Sequence, residues 1–175
     1  MKREIRESIP FMDFEKMYKV FEEPPYNEKW TVEELTDEYK ELSTLGHVCG
    51  YYIDNMCIGL MTFRKMILGQ HPVYYEHSKR VVYLADLVVL SEYRGQGIGS
   101  ELMRYALETS KREGYDIAYM RTLPKGQSMS YGLAVRLGLT QIENVFQAVS
   151  QERNVADRAE IDNRIFLDVN LHNWS

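Results

Sequence analysis

Hydrophobic residues near the N-terminus change from the spacing of a strand to the spacing of a helix. Residues 3–9 alternate between polar and apolar positions, as in a strand. From Pro10 onward, apolar residues three and four apart predict a helix that ends at prolines 24–25: Phe11, Phe14, Met17, Tyr18 and Phe21. A capping-box pattern at residues 31–34 then begins a second helix near residues 35–45.

The middle of the chain has the pattern of paired and buried strands. Three ranges predict strands: 47–53, 56–68 and 81–90. The first two meet at an Asp54-Asn55 turn, and the third is almost continuously apolar, as in a strand buried on both faces. After a glycine-rich turn, residues 99–114 have the spacing of an amphipathic helix that ends at Gly114.

The C-terminal third alternates again between strands and a short helix. The predicted elements are strands at 115–123, 139–151 and 164–171, a helix at 127–138 and a polar loop at 152–163. No repeat or linker interrupts this order. Residues 1–175 are therefore predicted to form one mixed α/β domain with a strand–turn–helix crossover at its centre.

Composition and charge narrow the class of protein. Hydrophobic residues make up 45% of the chain and aromatic residues 12%, which is enough for a core and argues against disorder. The net charge of −5 argues against a nucleic-acid partner, and it suits a cationic substrate as well as it suits solubility alone. No apolar run has the length of a signal-peptide core or a membrane span, so no membrane partner is predicted.

Two cysteines, Cys49 and Cys57, flank the Asp54-Asn55 turn. A two-residue hairpin would place Cys49 opposite Leu60 rather than Cys57, so no disulfide is predicted. Both thiols are interpreted as small core residues in a reducing compartment, and a cytoplasmic location is expected.

Three alternate glycines follow an arginine where the buried strand gives way to the helix, in the stretch "SEYRGQGIGSELM" at residues 91–103. A helix N-terminus exposes unpaired N–H groups, and glycine lets a ligand approach the backbone because no Cβ intrudes. The turn therefore predicts an anion site suited to phosphate or pyrophosphate, with Arg94 as a charged donor. Gly99 is followed by serine and glutamate, which excludes a Walker A loop, and the glycine spacing is not that of a dinucleotide fingerprint.

Arg94, Gly97 and Gly99 match a third pattern, Arg/Gln-x-x-Gly-x-Gly/Ala, after a strand. Over "LVVLSEYRGQGIGSELM", and more loosely in element order over nearly the whole chain, the sequence resembles the GCN5-related N-acetyltransferase superfamily. The resemblance implies an α/β (α+β) fold with one mixed, mostly antiparallel central sheet of about seven strands, flanked by about four helices. It also implies that a bulge splays two central strands apart.

The same resemblance implies acetyl-coenzyme A (acetyl-CoA) as the cofactor. Its pyrophosphate would lie on the backbone amides of residues 94–99, and its pantetheine arm beside backbone groups of Leu87 and Val89. The cofactor-binding residues expected on this basis are Leu87, Val88, Val89, Arg94, Gly95, Gln96, Gly97, Ile98, Gly99, Ser100 and Gln127.

Acetyl transfer to an amine needs a base, because the amine arrives mostly protonated at neutral pH. Asp86 is the sole acid in the apolar strand, three positions before Val89, where related enzymes often carry an acid that faces the acceptor. Burial is expected to raise the pKa of Asp86 and to make it a better base. The alternative is that Asp86 turns outward or caps a neighbouring loop.

The departing thiolate has no obvious proton donor. The family pattern N-x-x-A-x-x-L-Y-x-x-x-G-F places a tyrosine where this chain has Ala134, and Gln127 stands at the position of its first amide. Tyr131 lies one helical turn earlier and is the candidate acid, with a packed or surface tyrosine as the alternative. A thiolate can also take its proton from water.

In this superfamily the first two helices and their loop usually wall the acceptor pocket, which places residues 21–30 at its mouth. Glu22 and Glu23 would attract a cationic amine there, and Tyr26 and Trp30 would form apolar walls. Solvated glutamates and a tryptophan that staples the second helix are the alternative. The tyrosine-rich loop at residues 71–80 is expected either to close over the acceptor or to lie in a homodimer contact.

Taken together, these residues predict an acetyl-CoA-dependent N-acetyltransferase that acts on a small, cationic primary amine in a ternary complex. No metal is predicted, because the four histidines are far apart in the sequence. One alternative is a non-catalytic acyl-CoA sensor, which the alanine at position 134 favours. Another is a transferase that acts on protein N-termini or lysines.

Overall fold

The strands and helices of the computed structural model follow the order that the hydrophobic pattern predicts. The structure describes residues 1–24, 26–148 and 163–175. Its strands are β1 Arg3–Arg6, β2 Gly46–Ile53, β3 Met56–Lys65, β4 Val81–Val89, β5 Ile117–Thr122, β6 Thr140–Ala148 and β7 Asn163–Asn170. Its helices are α1 Phe11–Tyr18, α2 Val32–Leu45, α3 Ile98–Arg112 and α4 Met129–Arg136. The predicted polar loop at 152–163 lies outside the described residues, except for its last residue, which begins β7.

Within the described residues, seven strands form one sheet in the order β1-β2-β3-β4-β5-β7-β6. Neighbouring strands are antiparallel except for β4 and β5, which are parallel and are connected through α3. The predicted fold class, a mixed and mostly antiparallel sheet flanked by helices, is confirmed. None of the described helices is long and apolar enough to cross a membrane.

The parallel strands β4 and β5 separate part-way along their length. Their pairing ends where Tyr83 lies opposite Tyr119, although β4 continues to Val89 and β5 to Thr122. On the other side of β4, Thr62 of β3 lies opposite Asp86 and the next residue of β3 lies opposite Leu84. The residue between them, Ala85, is therefore a β-bulge, which bends the strand locally. The result is a gap in the middle of the sheet with Asp86 beside it.

Each face of the sheet has its own apolar core. On one face α3 contributes Leu102, Met103, Ala106 and Leu107, all at most 1% exposed, and α4 packs beside it. On the other face α1 and α2 bury Phe14, Met17 and Leu42 against β2 and β3. Tyr105, on the same helix as Leu102, is only half-buried against its core.

The register predicted for the two cysteines is wrong by one residue. Cys49 lies opposite Met61, not Leu60, because β2 and β3 shift register between Tyr51 and Tyr52. A bulge of this kind cannot be recognised from the spacing of the hydrophobic residues, because it changes which residues of the two strands lie opposite each other without changing locally which face is buried. Both thiols are nevertheless free and buried, as expected.

The N-terminus of α2 carries the capping box that the sequence predicts. The backbone N–H of Glu34 donates to Thr31 Oγ1 at 3.1 Å, and the N–H of Thr31 donates to the Glu34 carboxylate at 2.9 Å. We expect Thr31→Ala to lower the free energy of unfolding by about 1 kcal/mol, measured by urea denaturation. Thr36→Ala, which removes a hydroxyl from the same helix, is the control and should change stability by less than about 0.5 kcal/mol. Equal losses in the two variants would contradict a role for the cap.

Candidate active site

The glycine-rich turn stands open at the N-terminus of α3. Gly95 and Gly97 have positive φ angles of 78° and 83°, and a Cβ added at either one would meet no atom within 4 Å. Gly97 is the N-cap residue, and no side chain caps the helix. The turn therefore has space in front of its backbone and a left-handed conformation that favours glycine.

The backbone amides of this turn are available to a ligand, with one exception. The first helical hydrogen bond of α3 joins Glu101 N–H to the Gly97 carbonyl at 3.0 Å. Among the described residues, none accepts a hydrogen bond from a backbone N–H of residues 95–100. The N–H of Arg94, however, donates to the Ser91 carbonyl at 3.3 Å, so the predicted set of amides at residues 94–99 is corrected at its first member. The side chains of the turn lie in different environments. Ile98 is buried in the core, whereas the Gln96 side chain accepts a hydrogen bond from Arg3.

The backbone of β4 faces the gap at alternate residues. Leu90 N–H donates to the Ile58 carbonyl at 3.0 Å, and hydrogen-bonded pairs alternate along an antiparallel ladder. Leu87 and Val89 therefore direct their N–H and C=O groups away from β3, toward the side where β5 has separated. Val88 directs its backbone N–H and C=O groups toward β3, so a backbone role for Val88 at the gap is not supported. Its side chain is buried against α1 and α2. The Val89 carbonyl accepts a bond from Arg94 Nε at 2.9 Å.

Asp86 turns inward, onto the face covered by α1. One of its carboxylate oxygens, Oδ2, accepts bonds from the Tyr18 and Thr62 hydroxyl groups, both at 2.7 Å. Burial raises the pKa of Asp86, while these two hydrogen bonds and the charges of Arg121 and Arg64 oppose that rise. The other oxygen, Oδ1, accepts no hydrogen bond from a described residue, so it is free to accept a proton.

A cavity of about 360 Å³ runs beside Asp86 and through the gap between β4 and β5. Met61, Leu87 and Met103 line it from the α3 side, and Tyr18 and Trp30 line it from the α1 and α2 side. Because residues from both faces of the sheet contribute, two reactants could enter from opposite sides and meet at the carboxylate.

The profile of the acetyltransferase (GNAT) family matches residues 13–139. The chain belongs to the GNAT family. An uncharacterized N-acetyltransferase of Schizosaccharomyces pombe is 28% identical over 92 residues. That match includes 51% of this chain and 58% of the relative, so the chain spans little more than half the length of this curated protein.

Solved structures share the GNAT fold over nearly the whole chain. An N-acetyltransferase of Staphylococcus aureus has a TM-score of 0.73 at 15% identity, covering 98% of this chain and 99% of its own. The structure of yncA from Salmonella typhimurium with its cofactor acetyl-CoA has a TM-score of 0.70 at 13% identity, covering 100% and 97%. A chain of the NatC complex bound to Gag peptide and CoA has a TM-score of 0.68 at 15% identity, covering 97% and 99%. Two of these three carry CoA or acetyl-CoA, in agreement with the cofactor expected from the sequence.

Two residues that the GNAT pattern suggested lie away from the cavity. The Tyr131 hydroxyl donates to the Gln141 side chain at 3.4 Å, and Tyr131 packs against the core rather than lining the cavity. Gln127 is exposed, and its backbone N–H closes a turn onto the Pro124 carbonyl. Ser130, between them in the sequence, does line the cavity, while Ala134 is fully buried.

The predicted acceptor residues divide into two pairs. Tyr26 and Trp30 line the cavity, as expected for its apolar walls. Glu22 and Glu23 are exposed and do not line it, which corrects their proposed part in attracting an amine. Two other glutamates of the GNAT chain line the cavity instead: Glu28 and Glu38. Glu28 also accepts a bond from the Trp30 indole at 2.9 Å.

Basic residues that the sequence did not single out also line the cavity: Arg64, His71, Arg121 and Arg164. Burial, followed by the charges of Arg121 and Arg64, lowers the pKa of His71 to about 3, so the imidazole is neutral at physiological pH. Its Nδ1 lies 2.8 Å from the Tyr119 hydroxyl. The sequence contained one indication of these basic residues: Arg64 lies in the mostly apolar strand β3, where a charged residue is unusual. The described residues include no cluster of metal-ligating side chains, and the absence of a metal stays a prediction.

Proposed function

We propose that this GNAT chain is an N-acetyltransferase that moves an acetyl group from acetyl-CoA to the primary amine of a small molecule. The observation that carries the proposal is the position of Asp86, a half-buried carboxylate beside the gap between β4 and β5. The cavity that runs through this gap and the open turn of α3 support it.

The residues present fit the diphosphate of a coenzyme. No described residue accepts a hydrogen bond from the six consecutive backbone N–H groups at residues 95–100, and the positive end of the α3 dipole adds to their attraction for an anion. The positive φ angles at positions 95 and 97 favour glycine, and glycine has no side chain that could cover these N–H groups. Leu87 and Val89 would bond the pantetheine arm as a neighbouring strand would.

Acetyl-CoA supplies a thioester, whose carbonyl carbon is open to attack by an amine. Asp86 accepts a proton from the incoming ammonium group, directly or through a water, which leaves the nitrogen lone pair free to form the C–N bond. The Val89 N–H stabilises negative charge that develops on the carbonyl oxygen. As the C–S bond breaks, the nitrogen would lose its second proton to water and the departing thiolate would take a proton from water, since the Tyr131 hydroxyl is bonded to Gln141 and Ala134 has no proton to give.

Both reactants would be bound together, so that proximity supplies much of the rate enhancement. Neither cysteine is a candidate nucleophile for an acyl-enzyme, because burial raises the pKa of Cys49 to about 12 and that of Cys57 to about 11. Two buried free thiols also support our proposal of a reducing compartment.

The experiment that tests this function combines cofactor binding with turnover. Calorimetry should detect CoA binding, and release of free CoA from acetyl-CoA should depend on the presence of a small primary amine. Binding of CoA without turnover on any amine would favour the sensor instead. Turnover on peptides with a free N-terminus, but on no small amine, would favour a protein acetyltransferase.

A further inference from the structure

We propose that the acceptor amine also carries an acidic oxygen group, a carboxylate or a phosphate-type group, which the guanidinium groups of Arg64 and Arg164 bind inside the cavity. This inference rests on the proposed function and names the substrate class of the same site. It replaces a purely cationic acceptor with a zwitterionic one.

Arg64 is a buried cation that forms no ion pair with a described carboxylate, although its charge acts on Asp86. It is 5% exposed, on strand β3, and it lines the cavity. Its guanidinium donates to two neutral acceptors, the Lys65 carbonyl and the Gln70 side chain, and it stacks on the Tyr83 ring at 5.1 Å from the ring centroid. In the described part of the chain, no carboxylate forms an ion pair with it.

Arg164 has a still less satisfied side chain. It is 8% exposed, and its Nε–H is buried without a hydrogen-bond partner among the described residues. The guanidinium lies 5.5 Å from the Tyr26 ring centroid and lines the same cavity. Across residues 1–24, 26–148 and 163–175, it too lacks an ion pair with a carboxylate.

Burying an unpaired charge is costly, and buried arginines are normally paired with an acid. Two such arginines at one cavity therefore point to an anion that arrives with the substrate. The coenzyme diphosphate is not that anion, because no residue of the turn at 94–100 lines this cavity. Guanidinium groups suit carboxylate and phosphate oxygens because their planar donors can bond two oxygens at once.

The cavity is lined by both carboxylates and guanidinium groups, as a zwitterion requires. The pKa of Tyr18 is raised by burial and then by the charges of Asp86 and Glu38. Because Tyr18 belongs to α1, these two carboxylates lie near the α1 side of the cavity. The charges of Arg121 and Arg64 act on Asp86 as well as on His71, which places these cations on the side of β3 and β5 within reach of the same carboxylate. An amine held near Asp86 could thus extend its acidic group toward the arginines.

Calorimetry on the chain saturated with CoA tests this inference without requiring turnover. The ligands are β-alanine and its longer homologues, the matching aminoalkylphosphonates, and alkylamines and diamines of the same chain lengths. The best acid-bearing amine should bind at least about tenfold more tightly than its matched alkylamine. Arg164→Gln should remove most of this difference in affinity, and Arg64→Gln, the second variant, should do the same. Arg136→Gln, an exposed arginine on α4, is the control and should retain it.

Several results would overturn the inference: no ligand of the panel binds, the alkylamine or diamine binds as tightly as the acid-bearing amine, or both Arg164→Gln and Arg64→Gln keep the natural ratio. The transfer reaction is judged separately, by release of CoA from acetyl-CoA with the same panel. If the acid-bearing amines bind with the expected ratio but none is acetylated, the proposed function fails while the anion-binding site stands.

Discussion

Asp86→Asn should slow acetyl transfer by about two to four orders of magnitude and leave the affinity for CoA nearly unchanged, because general-base catalysis contributes about that much. The substitution is nearly isosteric. An asparagine oxygen can still accept the hydrogen bonds that the Tyr18 and Thr62 hydroxyl groups donate at 2.7 Å. The variant therefore removes the proton acceptor and retains the contacts that orient the side chain.

The titration of Asp86 should make both the activity and the stability of the natural chain depend on pH. In the natural chain, kcat/KM should rise with pH as Asp86 loses its proton, with a midpoint above the ordinary carboxyl pKa of 3.8, because burial raises its pKa. The folded state also holds that proton more tightly than the unfolded state does. The free energy of unfolding should therefore fall as pH rises from 3.8 to the raised value, since the folded chain binds more protons in that interval. Both effects should be absent from Asp86→Asn.

Asp37→Asn is a matched control, since it removes an exposed acid from α2. Its turnover and its pH profile should equal those of the natural chain, measured by CoA release over a range of pH. If Asp86→Asn were as active as Asp37→Asn at every pH, the carboxylate would have no part in proton transfer.

Gly97→Glu should weaken CoA binding by about a hundredfold, which corresponds to about 2.8 kcal/mol. A Cβ at this position would extend into the open space in front of the turn, where a diphosphate is proposed to bind. Two like charges about 4 Å apart repel by about 4 kcal/mol at an effective dielectric constant of about 20, and solvent at the exposed turn reduces that figure. Calorimetric titration with CoA measures the change.

Gly97→Gln separates charge from backbone strain. Any L-residue at φ 83° costs about 1–2 kcal/mol of stability, so both variants should unfold at lower denaturant concentration than the natural chain. Only the glutamate adds a negative charge, so it should bind CoA at least about tenfold more weakly than the glutamine variant does. Equal affinities in the two variants would argue that the turn does not bind an anion.

Local features of the fold and of the cofactor side of the site could be predicted from the sequence. The glycine turn, the α2 capping box and the buried strand with its single acid are encoded by residues close together in the chain. Their conformations depend on φ angles, cap hydrogen bonds and the period of the apolar residues, all of which leave a direct pattern. Asp86 is recognisable for the same reason, since one acid in an apolar strand is conspicuous.

The acceptor side could not be predicted in the same way, because its residues come from distant segments. Glu28 and Glu38, not Glu22 and Glu23, line the cavity, since the direction of each side chain depends on how the loop after α1 and helix α2 pack. Tyr131 lies one helical turn from the usual tyrosine position, yet its hydroxyl bonds to Gln141 on β6. Sequence spacing places such a residue on a helix but does not fix its partner.

The sequence by itself determined the order of strands and helices, the glycine-rich turn and the single acid of β4, because each depends on neighbours in the chain. The tertiary structure alone decided which charges share the cavity. Arg64 of β3 and Arg164 of β7 are far apart in sequence, and only the β3-β4-β5-β7 order and the separation of β4 from β5 bring both to the cavity beside Asp86. The physical reason is that a sheet brings together side chains from distant segments, and pairing between strands depends on contacts that no single segment contains.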